Sequence, residues 1–143
     1  MNNKSAIFSR RLSVKSSTEN LIEIRNFLSG IADELSLPND LVDKIILSVD
    51  EACTNVIKHA YGSSPNEDIE IKVKYSKNKL EITIVDSGIH FDPNSVPLPD
   101  LKKYVKERKH GGLGMFLMKQ LMDEVKYSAL PNGQNQLKLI KYV

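Results

Sequence analysis

Between residues 42 and 84 the apolar positions change their period once, and that change constrains the fold more than any other feature of the chain. Val42, Ile45, Ile46, Val49, Cys53, Val56, Ile57 and Ala60 recur at three- and four-residue steps. That is the stripe of an amphipathic helix spanning about residues 40–60. After Gly62, Pro65 and Asn66 the step becomes two: Ile69, Ile71, Val73 and Tyr75, then Leu80, Ile82 and Ile84, alternate with polar residues. The alternation predicts two half-buried strands joined at Lys77-Asn78-Lys79. Elements with one apolar face each must bury those faces against a second layer.

The rest of the chain extends this pattern. Residues 6–14 read as an edge strand with Ile7, Leu12 and Val14 as its apolar members. Leu21, Ile24, Leu28, Ile31 and Leu35 place a helix between Thr18 and Ser36, with Ser16 and Glu19 as its cap. Phe116, Leu117, Gln120 and Leu121 resume a helix, with Met115, Met118 and Met122 as core filler. Val125–Leu130 and Gln136–Val143 read as strands around a Pro131-Asn132-Gly133 turn. The order β, α, α, β, β, loop, α, β, β predicts an α+β sandwich with a mostly antiparallel sheet. The segment from Ser87 to His110 has no sustained period and holds three of the six prolines. A stretch of that length inside a domain reads as a lid or binding loop.

The 143 residues suit a single domain spanning 1–143 with one core. Twenty basic and eighteen acidic residues leave +2, too little to argue from charge for nucleic acid or a membrane surface. The single cysteine, Cys53, cannot form an internal disulfide and fits a reducing compartment. No run approaches membrane-spanning length, so the expected location is the cytoplasm.

Three short motifs carry chemistry. Glu51 and Asn55 are four apart, so on a helix they share one face, about 5–6 Å apart at Cβ. A carboxylate there accepts a hydroxyl proton, and an amide oxygen suits Mg²⁺, a hard cation that accompanies phosphates. Lys44, Ser48 and Lys58 fall on the same stripe, so the face also reads as the solvated side of the helix. Asp86 directly follows an alternating strand, where it can accept from an exocyclic amino group, and Gly88 lets a flat ring approach the backbone. An ordinary Asp-Ser-Gly turn would look the same. Gly111, Gly112 and Gly114 open a helix, a place receptive to phosphate. Neither a Walker P-loop nor a dinucleotide fingerprint matches there. Lys102, Lys103, Lys106, Arg108 and Lys109 precede those glycines, with Arg108 and Lys109 nearest. His59, His90 and His110 have no metal-ligand spacing and read as surface or capping residues.

Taken in order, Asp50–Tyr61, Asp86–Asp92 and Gly111–Met118 resemble the N, G1 and G2 boxes of the gyrase/Hsp90/histidine-kinase/MutL (GHKL) ATPase superfamily. Within it the chain looks most similar to bacterial anti-sigma factor serine-protein kinases. The resemblance implies the Bergerat, or histidine-kinase-like ATPase, fold: a two-layer sandwich with a mixed, mostly antiparallel sheet and helices on one face. It implies ATP and Mg²⁺, with Glu51 as general base, Asn55 as metal ligand, Asp86 reading adenine and Gly88 lying under the base. The Gly111-Gly112-Leu113-Gly114 corner, with Arg108 and Lys109, would hold phosphates, and residues 87–110 would be the ATP lid. The implied partners are a sigma factor, a STAS-type anti-anti-sigma antagonist and a second copy of the chain.

The match departs from the superfamily at two places. No second glycine follows Gly88 by two residues; Phe91 stands close by, as suits the anti-sigma branch. Where the superfamily often has a base-holding threonine near the last strand, the nearest residues are Gln134 and Asn135. The leading reading is an anti-sigma factor that phosphorylates a serine or threonine of its antagonist. A non-catalytic ATP-responsive module would bind ATP without transfer, and a stand-alone histidine-kinase-type domain would need a phosphoacceptor histidine on another chain.

Overall fold

The computed structural model describes residues 8–90 and 112–143. In chain order these form β1 (Phe8–Lys15), a 3₁₀ turn (Thr18–Asn20), α1 (Leu21–Glu34), α2 (Asn39–Asn55) and a π-helical turn (Val56–Ala60). Then follow β2 (Asp68–Ser76), β3 (Lys79–Asp86), α3 (Gly112–Leu121), β4 (Glu124–Ala129) and β5 (Asn135–Tyr142). The predicted order of elements is the observed one. Of the expected lid only Ser87–His90 fall within the described residues.

The five described strands form one sheet in the order β1-β2-β3-β5-β4, with every pairing antiparallel. Its register follows from the period-two pattern. Ile71 faces Ile84 and Val73 faces Ile82 across β2 and β3, while Ile84 faces Leu137 and Ile82 faces Leu139 across β3 and β5. All of these are buried on one side of the sheet and share a core with Ile24, Leu28 and Ile31 of α1, Ile45, Val49 and Cys53 of α2, and Met118 of α3. The helices therefore cover that face. Full burial of one such side chain is worth about 1.5–3 kcal/mol, which fixes the register, since a one-residue slip would turn the whole set outward. The opposite face carries Glu70, Lys72, Lys74, Glu81 and Lys138.

Tight connections hold the hairpins. Lys77 and Asn78 both have positive φ, 52° and 64°, the pair that a two-residue hairpin turn matched to strand twist requires. Gly133, at φ 88°, serves the β4–β5 turn. No helix among the described residues is long and apolar enough to cross a membrane.

Two local expectations change. Ser16 does not cap α1: its buried hydroxyl donates to the Ser64 carbonyl at 2.5 Å and accepts from the Glu67 N–H at 3.0 Å, fastening the end of β1 to the loop before β2. The stripe holding Ser48 and Asn55 is not wholly a solvated face either: both of these residues are buried, while Lys44 and Lys58 of the same stripe are exposed. What packs over a helix from elsewhere in the chain is invisible to the period of that helix alone.

Candidate active site

Asp86 shares its parity with Ile82 and Ile84, so it leaves the end of β3 on the helix-facing side of the sheet. There it sits beneath the end of α2. Ala52, Asn55, Val56 and Ala60 form one wall of a cleft, while Asp86, Asn135 and Leu137 form its floor. Tyr127 and Ile89 complete the lining. The walls are largely apolar with a few convergent polar groups, the usual character of a small-molecule site.

The floor is a hydrogen-bonded network. Asp86, 6% exposed, accepts the Gly88 N–H at 2.9 Å and the Asn135 side-chain amide at 2.9 Å, both at Oδ1. The sheet register makes the second contact unavoidable, because Asp86 and Asn135 are direct cross-strand partners. Oδ2 of Asp86 has no hydrogen-bond partner among the described residues. The side chain of Asn55, 7% exposed, likewise forms no hydrogen bond among them and lines the cleft. Both side chains line the cleft, so their uncommitted polar atoms are placed to meet a polar ligand there.

Gly88 is held by a close backbone approach. A Cβ there would lie 2.3 Å from the Ala60 carbonyl oxygen, and the Ile89 N–H donates to that same oxygen at 2.9 Å. The π-helical turn directly after Asn55 presents Ala60 to this contact, and such turns recur at functional sites. Tyr61 ties the corner from behind: its hydroxyl donates to the Asp68 carbonyl at 2.6 Å and accepts the Ser87 N–H at 2.7 Å. Burial pushes the Tyr61 phenol up from its ordinary value, with the Ser87 contact opposing.

Glu51 stands one helical turn before Asn55 on α2 and is half-buried, outside the lining of the cleft. Its neighbour Asp50 meets Arg25 of α1 at 2.8 Å. Burial holds the Asp50 carboxyl above its usual range, and Arg25 pulls the other way. Burial, with Asp50 adding, also pushes the Cys53 thiol up, so that side chain is core and not nucleophile. Gly112, Leu113 and Gly114 are the first residues of α3, while Arg108, Lys109 and Gly111 lie outside the described residues. Among the described residues no group of three His, Cys, Asp or Glu could hold a metal ion. The structure thus brings Asn55, Asp86 and Gly88 to one place, with Glu51 a turn away.

The model of the histidine kinase-like ATPase domain matches residues 14–141, nearly the whole chain. The chain belongs to the histidine kinase-like ATPase family. The serine-protein kinase RsbW of Bacillus subtilis is 36% identical over 108 residues, 72% of this chain and 67% of that protein. Two solved structures share the family's fold. The RsbU and RsbW domains of Rv1364c from Mycobacterium tuberculosis superpose with a TM-score of 0.68 at 12% identity, covering 94% of this chain and 32% of that one. The SiaB–SiaC complex from Pseudomonas aeruginosa gives 0.67 at 16% identity, covering 90% and 88%. With the family comes the use of ATP.

Sequence reasoning missed part of the floor. His90, read as a surface residue, reaches Asn135 Oδ1 with Nδ1 at 2.5 Å, and Tyr127 donates to the same oxygen at 2.7 Å. Only the departure from the threonine pattern pointed at Asn135; Tyr61 stood at the end of the first motif with no role read for it, and nothing in the sequence pointed at Tyr127.

Proposed function

We propose that the cleft binds ATP with Mg²⁺ and that Glu51, Asn55, Asp86 and Gly88 are its working residues. The chain is an ATP-dependent protein serine kinase of the histidine kinase-like family, acting as an anti-sigma factor. The observation that carries the site is that Asn55 and Asp86, residues from two different elements, line one largely apolar cleft, where neither Asn55 nor Asp86 Oδ2 has a hydrogen-bond partner among the described residues.

That cleft suits a purine: apolar walls take the ring and the carboxylate oxygen accepts from its amino group. The donor set suits magnesium, since one amide oxygen from Asn55 leaves the remaining positions to water and phosphate. Asn55 would hold such an ion, which would supply positive charge against the phosphates. Asp86 orients the base, Asn55 holds the triphosphate end in register, and the first turn of α3 directs free N–H groups toward phosphate. Arg108, Lys109 and the 87–110 lid complete the phosphate side. Glu51 takes the proton of the partner's seryl hydroxyl as that oxygen bonds to the γ-phosphorus, while the bond to the bridging oxygen breaks and ADP leaves. Positioning and charge neutralisation supply most of the rate.

The partners are a sigma factor, which the chain sequesters, and a STAS-type antagonist, which it phosphorylates; the chain works as a homodimer in the cytoplasm. A pull-down from the native cytosol with and without Mg-ATP, followed by mass mapping of phosphoserine, tests this. One captured protein should gain a single phosphoserine or phosphothreonine only when ATP is present. Tight ATP binding with no transfer to any captured protein would make the chain a non-catalytic module instead.

A further inference from the structure

One row of side chains crosses all five described strands on the sheet face turned away from the helices. Direct cross-strand partners place Arg11 beside Lys72, Lys72 beside Thr83, Thr83 beside Lys138 and Lys138 beside Lys126. Like charges directly opposite each other destabilise a sheet, and this row holds two such pairs. Glu70 meets Arg11 at 3.3 Å and Lys72 at 3.5 Å, and Glu124 meets Lys126 at 3.2 Å. Lys138 is half-buried, and no ion pair joins it among the described residues. Thr83, at the centre of the row, is 7% exposed, and its hydroxyl forms no hydrogen bond among the described residues. A breach of cross-strand pairing in an otherwise consistent sheet is expected where a surface has work to do.

We infer that this face is a docking site for an acidic segment of a partner protein. The groove over it is lined, among the described residues, by five cations and one carboxylate, Glu81. Neighbouring strands lie about 4.8 Å apart, so Lys72 and Lys138 flank Thr83 within reach of one carboxylate seated above it. The threonine hydroxyl donates to that carboxylate while the two ammonium groups neutralise it. Further acids along the segment meet Arg11 and Lys126 toward the ends of the row. A nucleic acid fits less well, because Glu81 repels phosphate and no aromatic side chain among the described lining residues offers a base a stacking surface. A second copy packed face to face would set cations against cations. The ATP cleft lies on the helix side of the sheet, so a segment bound here leaves it open.

Fluorescence anisotropy of a labelled ten-glutamate peptide, titrated with the full chain at low salt, tests this. Lys72→Gln combined with Lys138→Gln should weaken binding ~5- to 10-fold, the worth of two exposed ion pairs. Thr83→Val keeps the shape of the side chain and should weaken it ~10-fold, the worth of one hydrogen bond to a charged group. Lys44→Gln combined with Lys58→Gln removes the same charge from exposed positions of α2 and should leave the affinity within about twofold. If Thr83→Val does not fold, the two lysine pairs decide alone. Equal losses in the two lysine pairs would reduce the binding to net charge and overturn the docking site, as would no binding by the unaltered chain. Tighter binding of a ten-thymidine oligonucleotide than of the peptide would give the face to nucleic acid. Release of the peptide as the chain pairs with itself through these lysines would give it to a second copy, and either result overturns the proposal.

Discussion

Exchanging Glu51 for glutamine should slow phosphoryl transfer by ~10²–10⁴-fold, the contribution of a positioned general base. The glutamine keeps the shape and hydrogen-bonding reach of the side chain but cannot accept the hydroxyl proton. Glu51 lies outside the lining of the cleft, so ATP affinity should stay close to that of the unaltered protein. The change therefore belongs in kcat, measured by single-turnover transfer of labelled γ-phosphate to the captured partner. Transfer at the unaltered rate would remove Glu51 from the mechanism. A loss of ATP binding equal to the loss of transfer would reassign it to holding the nucleotide.

Adding one methyl group at residue 88 should be nearly as damaging, for a different reason. In Gly88→Ala the new Cβ falls 2.3 Å from the Ala60 carbonyl oxygen and 2.6 Å from its carbon. Those are backbone atoms, so the strain cannot be relieved by turning a side chain. Either the π-helical turn or the end of β3 must move, and the Ile89 to Ala60 hydrogen bond is lost with it. The cost should be about 3 kcal/mol, the upper part of the range for overpacking, or roughly 10 °C in Tm. Because Asp86 and Asn55 sit on the two segments being forced apart, ATP binding should fall below detection even where the variant remains folded. Thermal melting and calorimetry on one preparation separate the two effects. A melting point and an affinity both unchanged would contradict the packing described here.

How much of this was legible beforehand differs from element to element. The inward parity of Asp86 could be read from Ile82 and Ile84, because alternation needs only local sequence. The helix carrying Glu51 and Asn55 was legible for the same reason. The burial of Ser48 was not, since it depends on what the tertiary fold packs against that side of α2 and not on the local sequence. Ser48 Oγ is the one buried side-chain polar atom among the described residues without a hydrogen-bond partner, which is why its position misled a reading based on polarity. Asn135 was the hardest. Its role depends on the pairing of β3 with β5, and non-local strand register leaves no mark in either strand alone. The resemblance to a family supplied the chemistry of the three motifs; the contact between Asp86 and Asn135 came only with the sheet.

Calorimetric titration with Mg-ATP, run on the unaltered chain and on Asp86→Asn, bears most directly on the whole account. The unaltered chain should take up one nucleotide, and the variant, which trades a carboxylate acceptor for an amide, should bind ~10- to 100-fold more weakly. No uptake by the unaltered chain, or the same affinity in both, would contradict the claim that this cleft holds the purine through Asp86.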